Sequence, residues 1–133
     1  MILLAQVERM ATPIRFLIMA LGFALGATAH LAALTIPAFA EATYPPTYPA
    51  LRHILFILIN CSMTYFMLSR PRWLIWPYLV LTAQVCQGHG VRLWHTWFQD
   101  HRVQWIDLGT VCFALLGFLF ICVEWRAQFR FRN

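Results

Sequence analysis

The chain contains no lysine and only five acidic residues, Glu8, Glu41, Asp100, Asp107 and Glu124, in 133 positions. Charged residues make up 11% of it, against about 25% in ordinary soluble domains. So little charge excludes a water-exposed globule. The ten basic residues are all arginine. They stand singly or in pairs beside apolar runs, without the aromatic-interleaved basic patch that nucleic acid requires, so no nucleic-acid partner is expected. Cys61, Cys86, Cys112 and Cys122 form no C-x-x-C pair and no C-x-x-C-H sequence, which argues against disulfide exchange and covalent haem attachment. No long-period repeat or low-complexity tract occurs. The chain also lacks an E-x-x-H motif and any two histidines four residues apart, the usual sequence marks of a metal-binding helix.

What the chain does have is apolar length. Hydrophobic residues account for 61% of it, in four runs at 13–37, 50–68, 73–97 and 104–125. Each is close to the ~20 residues that cross a hydrocarbon core about 30 Å thick. Backbone groups in lipid must be satisfied within their own segment, so each run reads as a helix. The expectation is an all-α integral membrane protein: a four-transmembrane-helix bundle with short loops, forming one domain over 1–133. The lipid bilayer is its first partner.

Arg9, Arg15, Arg70, Arg72, Arg126, Arg130 and Arg132 fall on one side of these runs, and Arg52, Arg92 and Arg102 on the other. By the positive-inside rule both termini are cytoplasmic, as for a protein of the bacterial inner membrane. Tyr44, Tyr48, Trp73, Trp76, Trp94, Trp97, Trp105 and Trp125 near the run ends fit interfacial belts. Arg9 and Arg15, the apolar run and Ala38 to Ala40 before Glu41 also resemble a cleavable secretory signal. The run is about 22 residues long, more than the 7–15 of such apolar regions, so a retained first helix is expected.

The polar residues inside the runs are unevenly distributed. Gly22, Gly26 and His30 recur every four residues along one side of the first helix, a spacing that lets a neighbouring helix approach closely. His30 falls about eight residues, or roughly 12 Å, below its helix exit. His53, Asn60 and Thr64 share a stripe of the second helix. In the third, Gln84, Gly88, Arg92 and His95, with Gln87 alongside, share one face directed at Asp107 of the fourth. At about 100° per residue, His89 points roughly 120–140° away from the centre of that face. His30, His53, His89, His95, Arg92 and Asp107 lie in the periplasmic half and Asn60 near mid-membrane; the cytoplasmic half is almost devoid of polar residues apart from terminal arginines and Glu124.

This one-sidedness points to a periplasmic pocket lined by His53, Asn60, Gln84, Gln87, Arg92, His95 and Asp107. Three functions fit it. The leading one is a ligand-binding or accessory subunit of a membrane complex, in contact with other membrane subunits or a second copy. Another is a redox protein: His30 and His89, at matched depth, would ligate a b-type haem, or His30, His53 and His89 a transition metal, since imidazole suits iron, copper and zinc. The third is a small membrane enzyme on a lipid-like substrate, with His95 and Asp107 in acid–base roles and Arg92 holding an anionic group. No nucleophile-plus-base signature supports it, and the balance falls against an enzyme. The ligand, substrate and oligomeric state are not legible in the sequence.

Overall fold

Proline and the left-handed backbone, rather than polarity, set the ends of several helices. The structure, a computed structural model, describes the backbone of residues 2–44 and 48–130 and the side chains of 14–44 and 48–127. Helix α1 (Ile2–Thr35) runs back through Pro13, well beyond the expected start at 13. It stops two residues early because Pro37 has no N–H to donate and drives the preceding residue out of the helical region. Ile36 is extended, at φ −124° and ψ 95°, and Pro37 opens a short helix, α2 (Pro37–Thr43). Helix α3 (Ala50–Ser69) ends at Arg70, whose left-handed φ of 51° lets its N–H reach the Phe66 carbonyl at 2.8 Å, ahead of Pro71. Such a left-handed residue is a common helix stop. The side chains of Arg9 and Arg130, and all of Arg132, lie outside the described residues.

The remaining elements are α4 (Ile75–Val85), a five-residue π-turn (Cys86–Gly90), α5 (Val91–Asp100) and α6 (Trp105–Arg130). Backbone angles stay helical through the π-turn, at −62°/−39° for Cys86 and −66°/−43° for Gly90, so 75–100 is one continuous helix. It ends at His101, again left-handed at φ 50°. No strand occurs among the described residues.

The chain divides into two compact units, Met1–Arg70 and Pro71–Asn133. In the first, α1 and α3 form an antiparallel hairpin. Its register is marked by Phe16 against Arg70, Ala20 against Thr64, Gly26 against Asn60 and His30 against His53. Phe16, Met19, Ala20 and Phe23 bury one face of α1, and Met63 and Met67 bury that of α3. In the second unit, α4, the π-turn and α5 pack on α6. Leu74, Tyr78, Thr82 and Val85 recur every three or four residues as its core face, opposite Ala114 and Ile121.

Leucines and valines such as Leu25, Leu58, Leu116 and Val123 lie on the outside, each more than 60% exposed. Apolar side chains in such number have no partner in water. Three helical segments, Ile14–Thr35, Ala50–Ser69 and Trp105–Ala127, are long and apolar enough to cross a membrane.

Candidate functional site

In the second unit the π-turn decides which side chains meet. Its wider i→i+5 bonding places more residues in each turn, so a count at 100° per residue overshoots across it. His89, expected to point away from Asp107, is instead its direct partner: His89 Nδ1 stands 2.6 Å from Asp107 Oδ1. A carboxylate can only accept, so the imidazole carries its proton on Nδ1 and donates it. Arg92, three residues on and therefore on the same side of the helix, has its Nε 3.7 Å from Asp107 Oδ2. That is an ion pair without a hydrogen bond.

Asp107 is only 2% exposed, and its Oδ2 is buried without a hydrogen-bond partner. It lies in the first turn of α6, where the positive end of the helix dipole favours a carboxylate. The His89 and Arg92 side chains are 31% and 41% exposed. The result is a buried anion with two partly open cationic or proton-bearing groups over it. Gln84, expected on the same face, has Oε1 buried and unsatisfied; Gln87 is exposed. His95, expected beside Asp107, is exposed, and its Nδ1 accepts from Gln99 Nε2 at 3.2 Å. Asp107 is thus met by His89 and Arg92, while His95 bonds within its own helix.

In the first unit a second cluster forms where α1 and α3 approach their connection. His30 Nδ1 and His53 Nδ1 are 3.0 Å apart, and Tyr44 Oη lies 3.4 Å from His30 Nδ1. His53 is 4% exposed, covered by the rings of Tyr44 and Tyr48 at 4.6 Å each. Phe56 stacks on His30 at 5.0 Å. The sequence places His30 deeper than His53. The early stop of α1 at Thr35 brings the two level. Further along the hairpin, Asn60 Nδ2 donates to the Phe56 carbonyl at 2.7 Å, and Thr64 donates to the Asn60 carbonyl at 2.8 Å. Asn60 is thus held within its own helix, while Thr64 also reaches the Ala20 carbonyl of α1 at 3.4 Å.

Among the described residues no three His, Cys, Asp or Glu side chains converge as metal ligands. Each of the two expected haem ligands has a polar partner within its own unit, His53 for His30 and Asp107 for His89. The chain matches no protein-family model, no curated protein and no solved structure. Its function therefore has to be sought in the chemistry of these two clusters.

Proposed function

We propose that the chain is an inner-membrane protein that crosses the bilayer four times with both termini in the cytoplasm. On this reading it is a ligand-binding accessory subunit of a membrane complex, and its site consists of Asp107, His89 and Arg92. Three of the crossings are the long apolar helices, and the fourth is the continuous helix 75–100. The arginine distribution supports the orientation. The observation that carries the functional reading is the buried Asp107 carboxylate, with His89 on one oxygen at 2.6 Å and Arg92 facing the other without a hydrogen bond.

A guanidinium in this position has donors to spare, and its planar fork suits a phosphate or carboxylate. The charge balance agrees. With His89 protonated the three side chains carry one net positive charge, and a monoanion brings the assembly to zero. Neutrality is favoured where charges are poorly solvated. The ligand class is therefore an anionic headgroup on a lipid-like molecule, bound by Arg92 and the outward Nε2 of His89.

The test uses the purified protein in mild detergent, titrated with an alkyl phosphate and with the alcohol of the same chain length, and read by tryptophan fluorescence. The phosphate binds more tightly than the alcohol, and Arg92→Gln or His89→Gln removes that preference. Equal binding of both amphiphiles, or an unaltered preference in Arg92→Gln, refutes the reading. Reporter fusions at the C-terminus and in the 101–104 connection test the topology.

The carboxylate-held imidazole also favours a second reading, a b-type haem or transition-metal centre. Metal-binding histidines ordinarily donate their other ring N–H to such a carboxylate. A Soret band lost in His89→Ala would establish it, and a colourless, metal-free preparation would remove it.

A further inference from the structure

We propose that His30 and His53 form a binding site for a single proton, shared between their two Nδ1 atoms. This pair lies in the first unit and is independent of the Asp107 site. The two nitrogens are 3.0 Å apart while the ring centroids are 5.3 Å apart. That is about as far as two imidazoles can stand at this nitrogen separation, so each nitrogen faces the other head-on. Two metal ligands around one ion would instead be bent toward it. Two bare lone pairs cannot face each other at this distance, nor can two N–H groups. One ring must donate and the other accept.

The proton balance is closed. In the neutral pair the donor ring has a lone pair on Nε2, and the acceptor ring has an N–H there. A proton arriving at that lone pair makes the donor an imidazolium, and its Nδ1–H···Nδ1 bond becomes charge-assisted and stronger. The shared hydrogen can then pass to the other ring, which releases its own Nε2 proton. One proton has entered at one histidine and one has left at the other, with the tautomers exchanged and nothing oxidised or reduced. A second proton finds no such welcome. It needs the Nδ1 lone pair used in the bond, and it would set two cations 3.0 Å apart, a like-charge contact that disfavours the doubly protonated form.

The surroundings suit this role. The hydrogen bond to His30 is the one polar contact of His53 among the described residues, so no carboxylate pins its tautomer as Asp107 pins that of His89. From the segment after α2, Tyr44 brings its hydroxyl to His30. Tyr48 covers His53. From α3, the Arg52 guanidinium lies over Tyr48 at 4.9 Å and Phe56 at 5.9 Å, a positive charge that opposes protonation of the pair at either step. Glu41 on α2 is exposed.

The experiment is nitrogen NMR of the full chain in detergent with ring-labelled histidine, monitored across pH, with each histidine assigned from its own glutamine variant. The wild type shows a coupling across the hydrogen bond between the two Nδ1 nuclei. His30 and His53 signals move together for the first proton, and the second step is displaced by more than about one pH unit. In His53→Gln, His30 titrates alone in one step, and the reverse holds in His30→Gln. Two independent single-step titrations in the wild type, the absence of the coupling, or a His30 midpoint unmoved by His53→Gln overturns the proposal. The coupling needs no variant, so it decides the matter even where a substitution fails to fold.

Discussion

Asp107→Asn separates a binding role from a structural one, because the two roles predict opposite balances of stability and affinity. The substitution keeps the shape and removes the charge. His89 can still donate to the amide oxygen. The bond then falls from the charge-assisted class, about 1.5–3 kcal/mol, to the neutral class at about 0.5–1.5 kcal/mol. Against that loss, the buried oxygen that lacks a hydrogen bond is replaced by a neutral group that costs less to bury. The half-exposed Arg92 can be solvated. The net stability change is therefore small, within about 1.5 kcal/mol. Alanine at His89 leaves the carboxylate buried with only a 3.7 Å partner and is more damaging, toward the roughly 3–5 kcal/mol of a broken buried pair.

For the ligand the order is different. Without the carboxylate nothing fixes the orientation and tautomer of His89 or holds Arg92 beside it, and about 1.4 kcal/mol of lost interaction is a tenfold loss of affinity. The assays are denaturant titration in detergent and alkyl-phosphate binding. An Asp107→Asn protein that is destabilised by several kcal/mol, yet binds with unaltered affinity, would show the trio to be a structural ion pair.

Three further outcomes rest on the same geometry. A Cβ on Gly26 would stand 2.8 Å from Asn60 Oδ1, so Gly26→Ala must displace a side chain that is bonded to the Phe56 carbonyl. The helix gain of about 1 kcal/mol then appears only alongside Asn60→Ala, and a double-mutant cycle reads a coupling of about 1 kcal/mol; additivity would count against the close approach. Nothing stands within 4 Å of a Cβ added to Gly109, so Gly109→Ala is neutral or stabilises by up to about 1 kcal/mol, with binding unchanged. Deleting Gly90 converts the π-turn to α-helix and rotates α5 by about 100° relative to α4. Circular dichroism should show the helix retained while anion binding is lost, and retained binding would show that the turn does not position Arg92.

The apolar runs were legible because in lipid the length of a run and the length of a helix are nearly the same quantity. Three of them reappear as helices able to cross a membrane. Helix ends were legible only where backbone chemistry was local: Pro37 stops α1, but α6 continues to Arg130 past the expected end at 125. The register inside 73–97 was not legible. A π-turn depends on tertiary contacts that compensate its poorer hydrogen bonds, and the periodicity of the sequence carries no trace of them. Beyond that turn the residue that meets Asp107 is His89 rather than His95. The residue types and positions of Arg92 and Asp107 had already stood out, because an arginine and a carboxylate in an apolar run are costly unless they meet. His30 and His53 were both visible, but their pairing was not, since it depends on α1 ending at Thr35 rather than at 37.

The two histidine clusters differ in one chemical respect that separates their capacities. At His89 the partner is an anion, so Nδ1 keeps its hydrogen and Nε2 is left for a ligand; the ring cannot reverse its tautomer. At His30 and His53 the partner is a second imidazole, so on the proposed reading no fixed charge holds the hydrogen between them and the tautomers can exchange. A carboxylate placed against His53 should abolish that exchange. The geometry offers a way to build it: Tyr48 packs on His53 at 4.6 Å, and Tyr48→Glu would bring a carboxylate to the same ring. The coupling between the two Nδ1 nuclei should then weaken, and His53 should titrate independently of His30. If the coupling persists unchanged with the carboxylate ionised, the shared hydrogen is held by the hairpin's packing rather than by the equivalence of its two nitrogens.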